Sequence, residues 1–238
     1  MKSGAAAAAL ALTLLGGQGA AAESRSDTFV SGGKPVTAEW FAASGRDGSA
    51  PAVLILHGAD GMTVPERYRF GARALAAAGY HVLLVRYFER TGGNGRADWA
   101  RLRDDAPLWV ETVRDAVGHV ARQPGVDADR IAVVGFSLGA SLALAAAGKD
   151  PRIKAVVDVF GPFPSGADNA ARTPPVLILH GARDRVVPVE HAHRLEALLK
   201  ARGVPHEVTI YPDQGHGFFG AAQIDAASRI LGFLGRHL

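Results

Sequence analysis

Residues 131–139 read Ile-Ala-Val-Val-Gly-Phe-Ser-Leu-Gly, and a run of small, helix-compatible residues follows from Ala140. A β-branched strand that passes straight into G-x-S-x-G and then into a helix must turn a sharp corner, with Ser137 at its apex. Gly135 and Gly139 are the neighbours small enough to let that corner close. Ser137 Oγ is then presented to solvent instead of being packed. A flexible Gly/Ser loop after a strand would carry the same five-residue pattern, but it would not demand strand, corner and helix in this order.

A serine hydroxyl is a poor nucleophile at neutral pH, so the corner has chemical meaning only if a base and an orienting acid lie elsewhere in the chain. Both occur downstream. The apolar strand Pro175 to Gly181 leaves through Ala182-Arg183-Asp184, and the strand Glu207 to Tyr211 leaves through Pro212-Asp213-Gln214-Gly215-His216-Gly217-Phe218. Asp184 and His216 thus sit in loops at strand exits, where function concentrates, and the glycines beside His216 let it swing toward Ser137. Asp158 is the rival acid, although it falls inside the apolar run Ile153 to Phe160. The order Ser137, Asp184, His216 differs from the orders of the two large serine-protease folds.

Acyl transfer also needs two backbone N–H donors where negative charge develops on the carbonyl oxygen. Leu138, the residue after the nucleophile, is expected to supply one. The strand Ala52 to Leu56 opens into His57-Gly58-Ala59-Asp60-Gly61-Met62, and Ala59 is expected to supply the other, with Gly58 and Gly61 allowing the backbone angles that turn amides inward. Val-Leu-Ile-Leu-His-Gly-Ala recurs at 176–182, but the flanks differ, which points to two buried parallel strands meeting one packing demand and not to an internal repeat.

Through these stretches the chain resembles the dienelactone hydrolase family of α/β hydrolases, with the likeness carried by His57-Gly58-Ala59, Gly-Phe-Ser-Leu-Gly at 135–139, His180-Gly181-Ala182-Arg183-Asp184 and Gly215-His216-Gly217-Phe218. The resemblance implies a small hydrolase without a large lid, a Ser/Cys, Asp, His triad, and small ester or lactone substrates. Two departures stand out. Members acting on dienelactone itself carry a cysteine nucleophile, whereas this chain has no cysteine and Ser137 holds the position. They also carry a glutamate in the early loop, where Gly58 stands here.

Composition and pattern complete the expectation. Met1 to Ala22 has one charge, Lys2, an Ala/Leu segment through Leu15, and ends Ala20-Ala21-Ala22-Glu23, as an export leader with an A-x-A-like cleavage site does. Residues 1–22 are therefore expected to be a signal peptide and 23–238 the hydrolase domain, periplasmic or secreted after cleavage. The apolar stretch is short for a membrane span and broken by Gly16-Gly17-Gln18-Gly19, so no stable membrane insertion is expected. Without cysteine the exported protein must rest on its core alone. The net charge of +3 is mild, and no basic run interleaved with aromatics suggests nucleic acid. His191 and His193, two apart on a predicted helix, point to different faces, so neither a metal nor an organic cofactor is expected.

Beyond a hairpin formed by Thr28 to Val30 and Val36 to Ala42, strands and helices alternate. Helices are predicted near Glu66 to Ala78, Trp99 to Arg122, Leu138 to Ala147, Val189 to Arg202 and Ala221 to Leu234. Continuous apolar strands between them imply an α/β fold with a mainly parallel sheet, helices on both faces and no large cap domain. Phe136 and Phe218 are expected to line the acyl pocket. Arg86 and Arg90, after the strand His81 to Val85, are candidates for contact with an acidic substrate, against pairing with Glu89 or Asp98. The function expected is hydrolysis of small carboxylic esters or lactones through an acyl-enzyme. The alternatives are a prolyl-oligopeptidase-like serine peptidase and a non-catalytic periplasmic binding protein on a hydrolase scaffold. Nothing in the sequence specifies an oligomeric state.

Overall fold

The computed structural model describes residues 24–45, 48–93, 95–167 and 170–238; the expected leader lies outside them. Eight strands form one sheet: β1 (Ser24–Ser31), β2 (Lys34–Phe41), β3 (Ala50–Leu56), β4 (His81–Val85), β5 (Val126–Phe136), β6 (Ile153–Val159), β7 (Val176–Gly181) and β8 (His206–Tyr211), in spatial order β1-β2-β4-β3-β5-β6-β7-β8. β1 pairs with β2 and β2 with β4 antiparallel, and the remaining neighbours run parallel. The helices are α1 (Pro65–Ala77), α2 (Leu102–Val120), α3 (Leu138–Ala147), α4 (Glu190–Ala201) and α5 (Ala221–His237), with a 3-10 turn at Tyr87–Thr91.

The strand alternation of period two divides the apolar residues between two layers. Leu54, Leu56, Leu83, Ile131, Val133 and Ile178 face Trp109 and Val113 of α2, Leu142 of α3 and Leu195 of α4. Val53, Ile55, Val82, Val134, Leu177 and Leu179 face Tyr68 and Leu75 of α1 and Phe233 of α5. Because both faces are covered, every residue of β3 and β7 is buried, which explains why these strands read as unbroken apolar runs.

Local differences from the sequence reading have physical causes. The first hairpin is tight and longer than expected: Ser31 pairs with Lys34, and Gly32 and Gly33 both take positive φ (50° and 76°), which a two-residue turn matched to strand twist requires. The long helix begins at Leu102 and not at Trp99, because Asp98 holds a turn ahead of it, its side chain accepting the Ala100 N–H at 3.0 Å and its carbonyl that of Arg101. Of the three tryptophans, Trp40 and Trp109 are core and Trp99 is exposed.

Candidate active site

The parallel strands end on one edge of the sheet, and the loops leaving β3, β5, β6, β7 and β8 meet there. Ser137 occupies the corner between β5 and α3 with φ 51° and ψ −119°, a region that L-residues seldom enter and that costs on the order of 1–3 kcal/mol. Its N–H donates to Val159 O at 2.9 Å, and its carbonyl accepts the Ala140 N–H at 2.9 Å. The two flanking glycines are there for close approach: a Cβ on Gly135 would meet Ala140 N at 2.5 Å, and one on Gly139 would meet His57 O at 2.5 Å and Leu56 O at 2.6 Å.

Three side chains converge at this corner. Ser137 Oγ lies 3.0 Å from His216 Nε2, and His216 Nδ1 lies 2.7 Å from Asp184 Oδ2. The Asp184 carboxylate accepts from His216 Nδ1, which leaves Nε2 as the acceptor for the serine proton. The second carboxylate oxygen of Asp184 accepts the N–H groups of Val186 (2.8 Å) and Val187 (2.9 Å), so the loop after β7 fixes the acid before it orients the imidazole. Gly181 lets the two loops pack together, because a Cβ there would strike Gly215 O at 2.5 Å. His180, buried below, donates from Nε2 to Val187 O at 2.8 Å, and burial holds its pKa below the usual imidazole value.

Asp158, the rival acid, ends differently. It is fully buried and accepts the Gly161 N–H at 2.7 Å, and among the described residues no other hydrogen bond and no ion pair, to His216 or elsewhere, reaches it. Burial pushes its carboxyl up to about 7, against the opposing effect of the Gly161 N–H.

The loop after β3 is built on buried aromatics. His57 stacks on Tyr87 at 4.1 Å, and Tyr87 Oη donates to His57 O at 2.8 Å. Burial lowers the His57 pKa to about 4, so the ring is neutral. Tyr68 Oη accepts the Gly58 N–H at 3.0 Å and donates to Asp60 Oδ1 at 3.0 Å. Gly61 takes the positive φ (63°) expected of it, whereas Gly58 does not. A Cβ on Gly58 would lie 3.0 Å from Asp60 Oδ1, tighter than most Cβ contacts, and 3.4 Å from Ser137 Cβ, an ordinary one. The Ala59 carbonyl accepts from Ala97 N, while among the described residues no hydrogen bond engages the N–H of Ala59 or of Leu138.

The expected pocket residues divide. Phe136 and Phe218 stand at the site, each against Phe160, with ring centroids 6.1 Å and 5.4 Å apart. Phe160, with φ 46°, also lies 4.7 Å from the His216 ring. Arg86 and Arg90 do not join them. Arg86 donates to Glu39 at 2.9 Å, a carboxylate that Arg69 also engages and that stays below its ordinary pKa although burial pulls it upward. Arg90 packs on Gly32 of the first hairpin, where a Cβ would collide with its guanidinium. Glu89, the alternative partner, instead accepts from Thr37 N and Oγ1. Among the described residues no group of His, Asp and Glu converges as a metal site.

A mainly parallel, helix-covered sheet with a serine on the corner after β5 defines an α/β hydrolase. Residues 40–230 match the profile of the Dienelactone hydrolase family; the chain belongs to that family and is a hydrolase. A Salmonella typhimurium protein provisionally named a carboxymethylenebutenolidase is 28% identical over 229 residues, which cover 90% of this chain and 84% of that protein. The crystal structure of a dienelactone hydrolase, provisionally so named, from Klebsiella pneumoniae superposes with TM-score 0.77 at 22% identity, covering 90% of this chain and 99% of the other. An acylaminoacyl peptidase of Pyrococcus horikoshii superposes with TM-score 0.76 at 17% identity over 91% of this chain but 42% of its own length; that likeness is one of fold.

Proposed function

We propose that the chain hydrolyses small carboxylic esters or lactones by two-step acyl transfer, with Ser137 as nucleophile, His216 as general base and then acid, and Asp184 as the orienting acid. The hydrogen-bonded series Ser137–His216–Asp184 on a strained corner is the observation that carries this reading. His216 Nε2 takes the proton as Ser137 Oγ attacks the carbonyl carbon, and Asp184 stabilises the imidazolium without accepting the proton. The unengaged amides of Ala59 and Leu138 hold the oxyanion. The imidazolium then returns its proton to the leaving oxygen. Water then attacks the acyl carbon and gives a proton to His216, which passes it to Ser137 Oγ as the C–Oγ bond breaks and the acid leaves. Tyr68 serves this arrangement indirectly, by occupying the Gly58 N–H beside the proposed donor Ala59.

The name carried by the Salmonella relative is that of an enzyme acting on a carboxylated lactone, of which the lactone, and not the carboxylate, is the part carried over to this chain. Labelling with a fluorophosphonate, followed by peptide mapping, tests nucleophile and activity together. The adduct is expected on Ser137, and Ser137→Ala is expected to lose both the adduct and hydrolysis of short p-nitrophenyl esters, by about a millionfold if the three groups act as a unit. Substantial turnover in Ser137→Ala would reject the assignment, and a dominant rate on an aminoacyl anilide would favour the peptidase reading.

A further inference from the structure

We infer that Asp60 gives this site a charge preference: esters bearing a cationic group near the scissile carbonyl are favoured, and esters bearing a carboxylate there are disfavoured. The inference rests on the hydrolase reading above and concerns the same site.

Asp60 follows Ala59, the proposed oxyanion donor, and is half-buried. One point locates it relative to the nucleophile. A Cβ built on Gly58 would lie 3.0 Å from Asp60 Oδ1 and 3.4 Å from Ser137 Cβ, so carboxylate and serine flank the same spot. Tyr68 donates to Oδ1, and among the described residues no other hydrogen bond and no ion pair reaches the Asp60 carboxylate. The side chain therefore places a carboxylate beside the nucleophile, with hydrogen-bonding capacity left on its second oxygen.

The cations that could offset it are committed elsewhere or solvated. Arg86 is paired with Glu39 at 2.9 Å, Arg101 with Asp105 at 3.1 Å and Arg183 with Asp213 at 2.6 Å. Arg90 lies against the first hairpin. Arg67, Arg96 and Arg185 are exposed, where water and salt screen them far more than they screen a half-buried group.

A fixed negative charge beside an oxyanion site opposes the charge that develops in the transition state. A substrate cation lying between Asp60 and the oxyanion removes that opposition, and its attraction grows as the oxyanion forms, so the preference acts on the rate as well as on binding. A substrate carboxylate in the same place adds a second repulsion.

Three phenyl esters of matched acyl length, ending in methyl, trimethylammonium or carboxylate, test this with the whole chain at low ionic strength. The ratio of kcat/KM for the cationic over the anionic ester is expected to be about tenfold or more and to shrink as salt is added. Asp60→Asn should bring the ratio close to one, chiefly by raising the rate on the carboxylate ester. Tyr68→Phe, which removes the hydroxyl and keeps the charge, should retain the preference whatever it does to kcat. A wild-type ratio at or below one overturns the inference even if Asp60→Asn fails to fold, and so does a collapse in Tyr68→Phe equal to that in Asp60→Asn, since loop geometry and not charge would then set the ratio. Fluorophosphonate labelling of the wild type separates the two levels: labelled protein with no charge preference rejects only the inference, whereas unlabelled, inactive protein rejects the hydrolase reading and the inference with it.

Discussion

Two aspartates at neighbouring strand ends have opposite environments. Asp184 accepts from an imidazole and two backbone N–H groups, while Asp158 is buried and, among the described residues, accepts from one N–H, that of Gly161. Asp184→Asn presents an amide to His216 Nδ1, which favours the wrong tautomer for accepting the serine proton. The loss in kcat should be about four orders of magnitude, as for the same change in a trypsin-like triad. Asp158→Asn should leave kcat within a few-fold, since among the described residues no hydrogen bond or ion pair joins it to His216. Steady-state kinetics of the two variants on one ester decides between them, and an inactive Asp158→Asn beside an active Asp184→Asn would move the acid one strand earlier. Sequence distinguished these two because one lies in a loop and the other within an apolar run. It could not place Arg86, whose partner Glu39 is 47 residues away on an antiparallel strand. Nor did it single out Tyr68 or Phe160, which read as one apolar position of a helix and the last of a strand, and which acquire their roles only from contacts made across elements.

The ends of β3 and β6 carry titrations of opposite sign. Asp158 holds its proton up to about 7 in the fold, against an ordinary value of 3.8, so between these values the native state binds the extra proton and stability falls as pH rises. His57 loses its proton at about 4 in the fold, against an ordinary 6.5, so between those values the unfolded state binds the extra proton and stability rises with pH. The two slopes cancel over most of their shared window. Asp158→Asn removes the falling one. Urea denaturation between pH 4 and 7 should therefore show the variant gaining on the wild type by about 1.4 kcal/mol per pH unit, approaching this slope in the middle of the range. Parallel curves for the two proteins would mean that Asp158 is ionised in the fold throughout that range, as it is in the unfolded chain. The cancellation arises because both groups end buried strands, where burial penalises either charge.

At the scale of the whole molecule, the sheet was legible because parallel strands covered on both faces must be apolar throughout, and β3, β5 and β7 are largely so where they pair in the middle of the sheet. The hairpin at the opposite edge was harder to bound, since β1 is mostly exposed and carries little apolar signal. The same architecture limits the substrate. Among the described residues, the connection between β6 and β7 carries no α-helix that could cover the site. A long acyl chain gains about 0.8 kcal/mol per methylene only where apolar walls enclose it. The walls proposed here are Phe136 and Phe218, each against Phe160 and backed by Tyr68 and Tyr211 respectively, which together make a short aromatic face. Across acetyl, butyryl, octanoyl and palmitoyl esters of one phenol, kcat/KM should peak at acetyl or butyryl and fall toward palmitoyl. Phe160→Ala should weaken butyryl more than acetyl, because the ring it removes is the one both other phenylalanines touch. A maximum at octanoyl or longer would require an apolar channel that these loops do not build, and would reject the open-site account.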